Sequence, residues 1–272
     1  MITFPNAKIN LGLRVVAKRT DGYHELQTVF YPVKALADAL EITPAKDLSL
    51  TVTGNAVDCP AEKNLVMRAY RALQSRYALP PVALHLHKAI PDGAGLGGGS
   101  ADAAFTLKML NDIFSLGIDD AQLAAIAATL GADCAFFIYN RPMYATGIGD
   151  VLTPIDVDLA GKHIVMVKPA ESVSTKQAYS LVTPATPDSD LRQILALPPA
   201  AWDGLLVNDF EPSVFSQLPQ LWNIKIRLLQ AGADYAAMSG SGSVVFGIFG
   251  SDKLAEQAAD TFTDYATYCL PL

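Results

Sequence analysis

The residues in this chain that announce chemistry lie between Pro91 and Ser100, P-D-G-A-G-L-G-G-G-S, where Gly93, Gly95, Gly97, Gly98 and Gly99 crowd into one short segment. A backbone free of side chains can pass close to a ligand and take positive φ, so that successive N–H groups converge on phosphate oxygens. Ser100 then opens a helix. Its N-terminus adds unpaired donors and about half a positive charge, worth roughly 0.3 to 2 kcal/mol to an adjacent anion. The Ser100 hydroxyl has three open uses: a phosphate contact, a Mg²⁺ ligand, or a helix cap. Other readings of the glycines compete. As a plain flexible turn they would cost roughly 0.5 to 1 kcal/mol each wherever the structure is regular. The G-x-G-x-x-G at Gly93, Gly95 and Gly98 is also a dinucleotide pattern, but it falls late in the chain and outside any repeated βαβ frame. A Walker A loop is excluded, because Gly99 stands where that motif carries lysine.

The elements that must position this loop are legible around it. Val82 to Lys88 reads as a strand running into it, and Ala103, Leu107, Leu110 and Phe114 mark one face of the helix leaving it. Upstream, Ile9, Leu11, Leu13 and Val15 alternate with Asn10, Gly12 and Arg14, the period of a strand with one buried face, which puts Lys8 and Asn10 together on the other. Arg19-Thr20-Asp21-Gly22 is a turn signal before a second strand, Glu25 to Val33, giving a hairpin that presents Tyr23 and His24. Asn64 to Tyr77 is helical in spacing and is stopped by Pro80-Pro81. Asp120 caps a helix ending at Gly131, and the apolar run Cys134 to Tyr139 after Asp133 reads as a strand. A second unit starts near residue 155, with strands from His163, Tyr235 and Ser243, helices from Leu221 and Lys253, and a proline-rich stretch between Thr183 and Pro212. The spacing predicts a mixed α+β protein with domains at 1–155 and 156–272, the second a small sheet covered by helices on one side. The C-terminal A-T-Y-C-L-P-L suggests no function.

Composition excludes several classes of function. The formal net charge of −7 argues against a nucleic-acid or anionic-membrane surface, which calls for a basic face. No apolar stretch approaches the roughly 18 to 20 residues of a membrane span, and the N-terminus lacks the pattern of an export or import signal. Cys59, Cys134 and Cys269 have neither disulfide-framework nor metal spacing, so a reducing cytoplasm is expected. His85 and His87 share a strand face, but with no third ligand in view they read as a solvated surface.

The segment P-x-G-x-G-L-G-G-G-S resembles the phosphate motif of the GHMP kinases, named for galactokinase, homoserine kinase, mevalonate kinase and phosphomevalonate kinase. P-N-A-K-I-N-L at the N-terminus, G-A-D-C-A-F-F around Asp133 and M-S-G-S-G-S-V-V-F from Met238 are similar to the family's other segments, in the same order. The resemblance implies a two-domain GHMP kinase fold, with a ribosomal S5 domain 2-like N-terminal domain and a ferredoxin-like C-terminal domain. K-R-T-D-G-Y-H-E-L-Q-T is similar to one branch of the family in particular. That branch implies transfer of the ATP γ-phosphoryl group to the 2-hydroxyl of a cytidine diphosphate-linked methylerythritol, with Mg²⁺, in non-mevalonate isoprenoid synthesis.

Residue by residue, the resemblance makes Asp133 the acceptor of the hydroxyl proton and Lys8 the cation that stabilises its carboxylate and the moving phosphoryl group. Asn10 would bond the substrate or Lys8, and Thr175 the substrate diphosphate. Tyr23 and Tyr179 would stack on the base and His24 read its edge; a base stack is worth roughly 1 to 3 kcal/mol. Around Tyr179 the match is partial, because S-V-S-T-K-Q-A-Y lacks the proline that often follows the threonine. Asn64 and the loop residues Pro91, Asp92, Gly93, Ala94, Gly95, Leu96, Gly97, Gly98, Gly99, Ser100 and Ala101 would contact ATP, with Lys88 reaching a phosphate. Ser239 to Gly242 is placed near the active-site mouth, although as bare sequence it is a hairpin turn. No residues are singled out as metal ligands, and the chain is expected to be a monomer or homodimer. Two readings compete: a family kinase for mevalonate, homoserine or a sugar, which has no base to stack, and a non-enzymatic nucleotide-binding protein, which would not need both Lys8 and Asp133.

Overall fold

The computed structural model describes residues 1–55 and 59–272, and its compact units are built from interleaved pieces of chain. The first comprises Met1–Lys8, Pro32–Asp92 and Gly97–Arg141, and the second Ile9–Tyr31, Gly93–Leu96 and Pro142–Leu272. The tip of the glycine loop is therefore counted with the second unit, while both of its stems belong to the first.

The first unit holds a four-stranded sheet in the order Ile2–Thr3, Ala39–Pro44, Val82–Lys88, Ser49–Gly54. Val82–Lys88 pairs antiparallel with Ala39–Pro44 and parallel with Ser49–Gly54. Its Val82, Leu84 and Leu86 are buried, whereas His85 and His87 are exposed and both bond the Thr53 hydroxyl at 3.1 Å. Helices Leu65–Gln74, Gly98–Ile113, Asp120–Ala128 and Cys134–Tyr139 complete the unit. Asn64 caps the first of these by accepting from Val66 N at 2.9 Å, and Asp119 rather than Asp120 caps the third, accepting from Gln122 N at 2.8 Å.

Cys134–Tyr139, expected as a strand, is a helix. Phe, Ile and Tyr favour strands, but a short apolar run carries no period that separates a buried strand from a buried helix, and packing decides. Here Cys134 to Ile138 are buried against the Gly98–Ile113 and Asp120–Ala128 helices, and Asn140 ends the turn in the left-handed region at φ 49°.

The second unit contains an antiparallel sheet in the order Tyr235–Met238, Val245–Phe249, His163–Lys168, Ala266–Pro271. The C-terminal tail is thus an edge strand, where Pro271 need not donate to a ladder. On one face Val165, Val167, Ala236, Met238, Val245 and Phe249 join Leu221, Ile224 and Leu228 of the Pro219–Gln230 helix and Ala255 and Ala258 of Asp252–Ala259 in one core. The other face is covered too. Tyr235 meets the Trp202 ring edge-on and donates to Leu206 O at 2.9 Å, so the proline-rich stretch seals the side opposite the helices.

A further sheet runs in the order Asn6–Lys18, His24–Ala37, Met143–Thr146, Val151–Pro154. The first two strands form the expected hairpin, closed by Arg19 N to Tyr23 O at 2.8 Å. Asn6–Lys18 differs from the one-faced strand expected: every residue from Asn6 to Leu13 is buried, Lys8 and Asn10 included at 3% exposure each.

Candidate active site

Beginning with the glycine loop, three of its glycines have positive φ: 60° at Gly93, 76° at Gly95 and 71° at Gly97. At Gly95 and Gly97 close approach adds to conformation. A Cβ on Gly95 would fall 2.0 Å from Ser239 O, and one on Gly97 would lie 3.0 Å from the Phe137 ring and 3.1 Å from Lys8 Cγ. Gly97 is also the N-cap of the Gly98–Ile113 helix and has no side chain to accept from its first turn. Ser100 is therefore inside the helix and not its cap. The first-turn N–H groups stay available to an outside anion, which suits the loop to ATP phosphates. Ala94, Leu96 and Ala101 bury their side chains at 2%, 1% and 0% exposure and anchor the loop; Pro91 and Gly98 are half-buried and Asp92 and Gly99 exposed.

Against Gly97 lies the side chain of Lys8. Its Nζ lies 3.4 Å from Asp133 Oδ2, the lysine 3% and the aspartate 32% exposed. Asp133 sits at the N-cap position of the Cys134–Tyr139 helix without using its side chain to cap it, so the carboxylate faces Lys8 and stays reachable. Burial holds the Lys8 pKa below the ordinary lysine value, with Asp133 opposing the fall. The next residue, Cys134, bonds the Ser100 hydroxyl, and its own thiol is pushed by burial up to about 11, too weakly acidic to act as a thiolate. A carboxylate and a buried ammonium beside a phosphate-ready helix end are the parts that a group transfer calls for.

Lys88, expected among the ATP contacts, is otherwise engaged. It is 5% exposed and its ammonium binds Asp38 and, at 2.7 Å, Asp102. Neither aspartate was expected from sequence. Asp102 carries a faint signal, since it falls among the buried positions of an otherwise apolar helix face, between Ala101 and Ala103, and a buried carboxylate demands a partner. Asn64 spends its side-chain oxygen on capping.

Within the second unit, the His24 and Tyr179 rings stack, with centroids 4.9 Å apart and planes at 22°, and Phe210 meets Tyr179 edge-on at 4.8 Å. Burial, then Lys18, lowers the His24 pKa and favours the neutral ring. Tyr23, expected to join the platform, is 62% exposed on the hairpin turn. Asn10 donates to the Thr28 hydroxyl at 2.9 Å, and Thr175 shares a hydrogen bond of 3.1 Å with Ser241 of the second glycine turn. That turn is fastened by a segment sequence reading passed over. Asn208, 2% exposed, donates to Met238 O and Gly240 O at 2.8 Å each, and Glu211 accepts from Met238 N at 2.8 Å. Ser239 in turn donates to Gly95 O at 2.8 Å.

Two family models match this chain: the GHMP kinases N terminal domain over residues 64–141 and the GHMP kinases C terminal over residues 186–266. The Methanococcus jannaschii mevalonate kinase structure superposes with a TM-score of 0.74 over 100% of this chain and 98% of its own at 11% identity, a likeness of fold. The α+β fold is thus that of the GHMP kinases. A crystal structure of a 4-(cytidine 5'-diphospho)-2C-methyl-D-erythritol kinase superposes with a TM-score of 0.85 at 34% identity, covering 99% of this chain and 98% of that one. The 4-diphosphocytidyl-2-C-methyl-D-erythritol kinase of Parabacteroides distasonis is 56% identical over 249 residues, 92% of each chain, and that of Bacteroides fragilis 52% identical over 257, 93% of each. The chain belongs to the 4-diphosphocytidyl-2-C-methyl-D-erythritol kinase family, within the GHMP kinases.

Proposed function

We propose that this protein transfers the γ-phosphoryl group of ATP to the 2-hydroxyl of 4-diphosphocytidyl-2-C-methyl-D-erythritol, giving the 2-phosphate and ADP, in the non-mevalonate route to isoprenoids. The observation that carries the chemistry is the Lys8–Asp133 pair at 3.4 Å, laid against Gly97 where the Gly98–Ile113 helix begins. The substrate assignment draws on family membership and on the His24–Tyr179 stack.

In this reading Asp133 accepts the proton of the attacking 2-hydroxyl. Lys8 holds that carboxylate in place and offsets negative charge on the transferring group, in a buried setting where such charge is worth more than in water. ATP, when bound, supplies the phosphoryl group and the leaving ADP. The backbone N–H groups of the loop from Pro91 to Ala101 hold its phosphates and Asn64 borders it. Mg²⁺ would come with the nucleotide, and the Ser100 hydroxyl and the exposed edge of Asp133 are oxygen donors suited to it. Among the described residues there is no group of three or more His, Cys, Asp or Glu arranged to hold a metal ion. The cytidine base would stack on Tyr179, with His24 reading its edge and Tyr23 closing over it from the turn. Asn10 and Thr175 would bond the rest of the acceptor. Residues 1–155 form the ATP-binding domain and 156–272 the C-terminal kinase domain in this scheme. No helix among the described residues is long and apolar enough to cross a membrane. On family membership we place the enzyme in the cytoplasm.

A coupled assay of ADP release tests the reading. Turnover is expected with 4-diphosphocytidyl-2-C-methyl-D-erythritol and not with mevalonate, homoserine or galactose. Turnover of mevalonate with the cytidyl compound ignored would overturn the substrate assignment.

A further inference from the structure

Beneath the glycine loop lies a buried cluster of three charges that the phosphoryl transfer does not use. Asp38, 0% exposed, stands before the Ala39–Pro44 strand, and its Oδ1 accepts from the backbone N–H groups of Ala89 at 2.6 Å and Ile90 at 2.8 Å. Those residues lead directly into Pro91. Its Oδ2 takes the Lys88 ammonium, which also donates to Asp102 Oδ2 at 2.7 Å. Asp102 lies in the helix that leaves the loop, 2% exposed, with its Oδ1 buried and, among the described residues, without a hydrogen-bond donor. A Cβ on Gly98 would come 3.2 Å from Lys88 Nζ and 3.1 Å from Ile90 Cγ2, so the helix start rests on the strand end with no room to spare. One ammonium thus ties the stem entering the loop to the stem leaving it.

Two carboxylates and one ammonium removed from water are a poor way to stabilise a fold. Well-packed apolar residues of similar volume do as well or better. The cluster makes physical sense as a device of position. Between its stems the loop contains three residues in left-handed backbone, Gly93, Gly95 and Gly97, and glycine gives up more conformational freedom on ordering than any other residue. The apparent dissociation constant is the intrinsic one divided by the fraction of molecules in the binding-competent shape. Charge-assisted bonds that hold both stems raise that fraction before the nucleotide arrives.

We propose that Lys88, Asp38 and Asp102 are positioning residues for ATP: they set the two stems of the phosphate loop from beneath, without touching the nucleotide. This rests on the kinase reading above. Such a brace acts on nucleotide affinity and leaves the acceptor's own contacts alone, which is what separates it from a general role in stability.

The test is nucleotide binding by calorimetry, with ATP and no acceptor, together with separate KM values for ATP and the cytidyl acceptor. Asp102→Asn keeps the shape and one bond to Lys88 while removing the charge. It should weaken ATP binding about tenfold or more, raise KM for ATP to match, and shift KM for the acceptor less than twofold. Asp38→Asn, which keeps one acceptor oxygen for Ala89 and Ile90, should do the same and covers the case in which one variant fails to fold; urea unfolding of each shows that it is folded. Unchanged ATP affinity in the folded variants, or equal rises in both KM values, would overturn the brace and leave the kinase reading standing. A wild-type protein that binds no ATP would overturn both.

Discussion

Lys8 and Lys88 are both buried lysines, 3% and 5% exposed, each beside aspartate in the same unit, and the roles proposed for them are opposite. Lys8 meets Asp133 at 3.4 Å, and that carboxylate is one-third open. Lys88 is held by two carboxylates that are sealed with it. For Lys8, burial outweighs the opposing charge and the pKa falls; for Lys88, burial pulls it down and Asp102 and Asp38 more than reverse this, so it rises. A reacting pair needs a face that a substrate can reach. A brace needs the reverse. The exposure of the partner carboxylates, not the residue type, separates the two.

The largest effect expected from breaking that contrast is on turnover. Asp133→Ala or Lys8→Met should lower kcat by roughly 10² to 10⁴. In Lys8→Met stability should change by less than about 1 kcal/mol, because the partner left behind is a carboxylate in contact with water. Steady-state kinetics beside urea unfolding reads both, and near-normal turnover would remove the residue concerned from the chemistry. Lys88→Met should show the reverse balance, with a stability loss of about 3 to 5 kcal/mol from two carboxylates left buried without their cation. Unfolding at the wild-type urea midpoint would mean that the cluster is not the closed unit described.

Tyr179→Ala comes next, and it asks whether the second unit's aromatic stack concerns the acceptor alone. Losing a base platform costs about 1 to 3 kcal/mol, or roughly 5- to 150-fold in acceptor KM, with ATP binding by calorimetry unchanged. The smallest effect is the one most particular to the sealed cluster. Burial, with Asp38 adding to it and Lys88 opposing, pushes the Asp102 pKa up to about 7 from an ordinary 3.8. Between those values the folded protein binds more protons than the unfolded chain, so stability should decline as pH rises from about 4 to about 7. The slope is at most about 1.4 kcal/mol per pH unit. Urea midpoints across that range should lose this component in Asp102→Asn, and an identical profile in the variant would contradict the shift.

How much of this was readable beforehand follows the range of each interaction. The loop, its incoming strand and its outgoing helix are local patterns, and the structure has them where glycine spacing and apolar period put them. A lysine just before a phosphate loop reads as available to ATP, and nothing within several residues of Lys88 says that Asp38 neutralises it. The Cys134–Tyr139 helix is not legible locally because its type is set by the helices around it, and the C-terminal strand because its partner, His163–Lys168, is a hundred residues away. Asn208, which fastens the second glycine turn, looks like any loop asparagine until Met238 and Gly240 are seen to accept its amide.

By itself, then, the sequence determined the glycine loop, the α+β class and the family, and put Lys8 and Asp133 forward as the reacting pair, because these depend on residue types at short, fixed spacings. Only the tertiary structure decided which buried lysine faces a reachable carboxylate and which is locked away. Ionic character in a protein depends on what surrounds a charge and how much water reaches it, and both are set by residues far off along the chain.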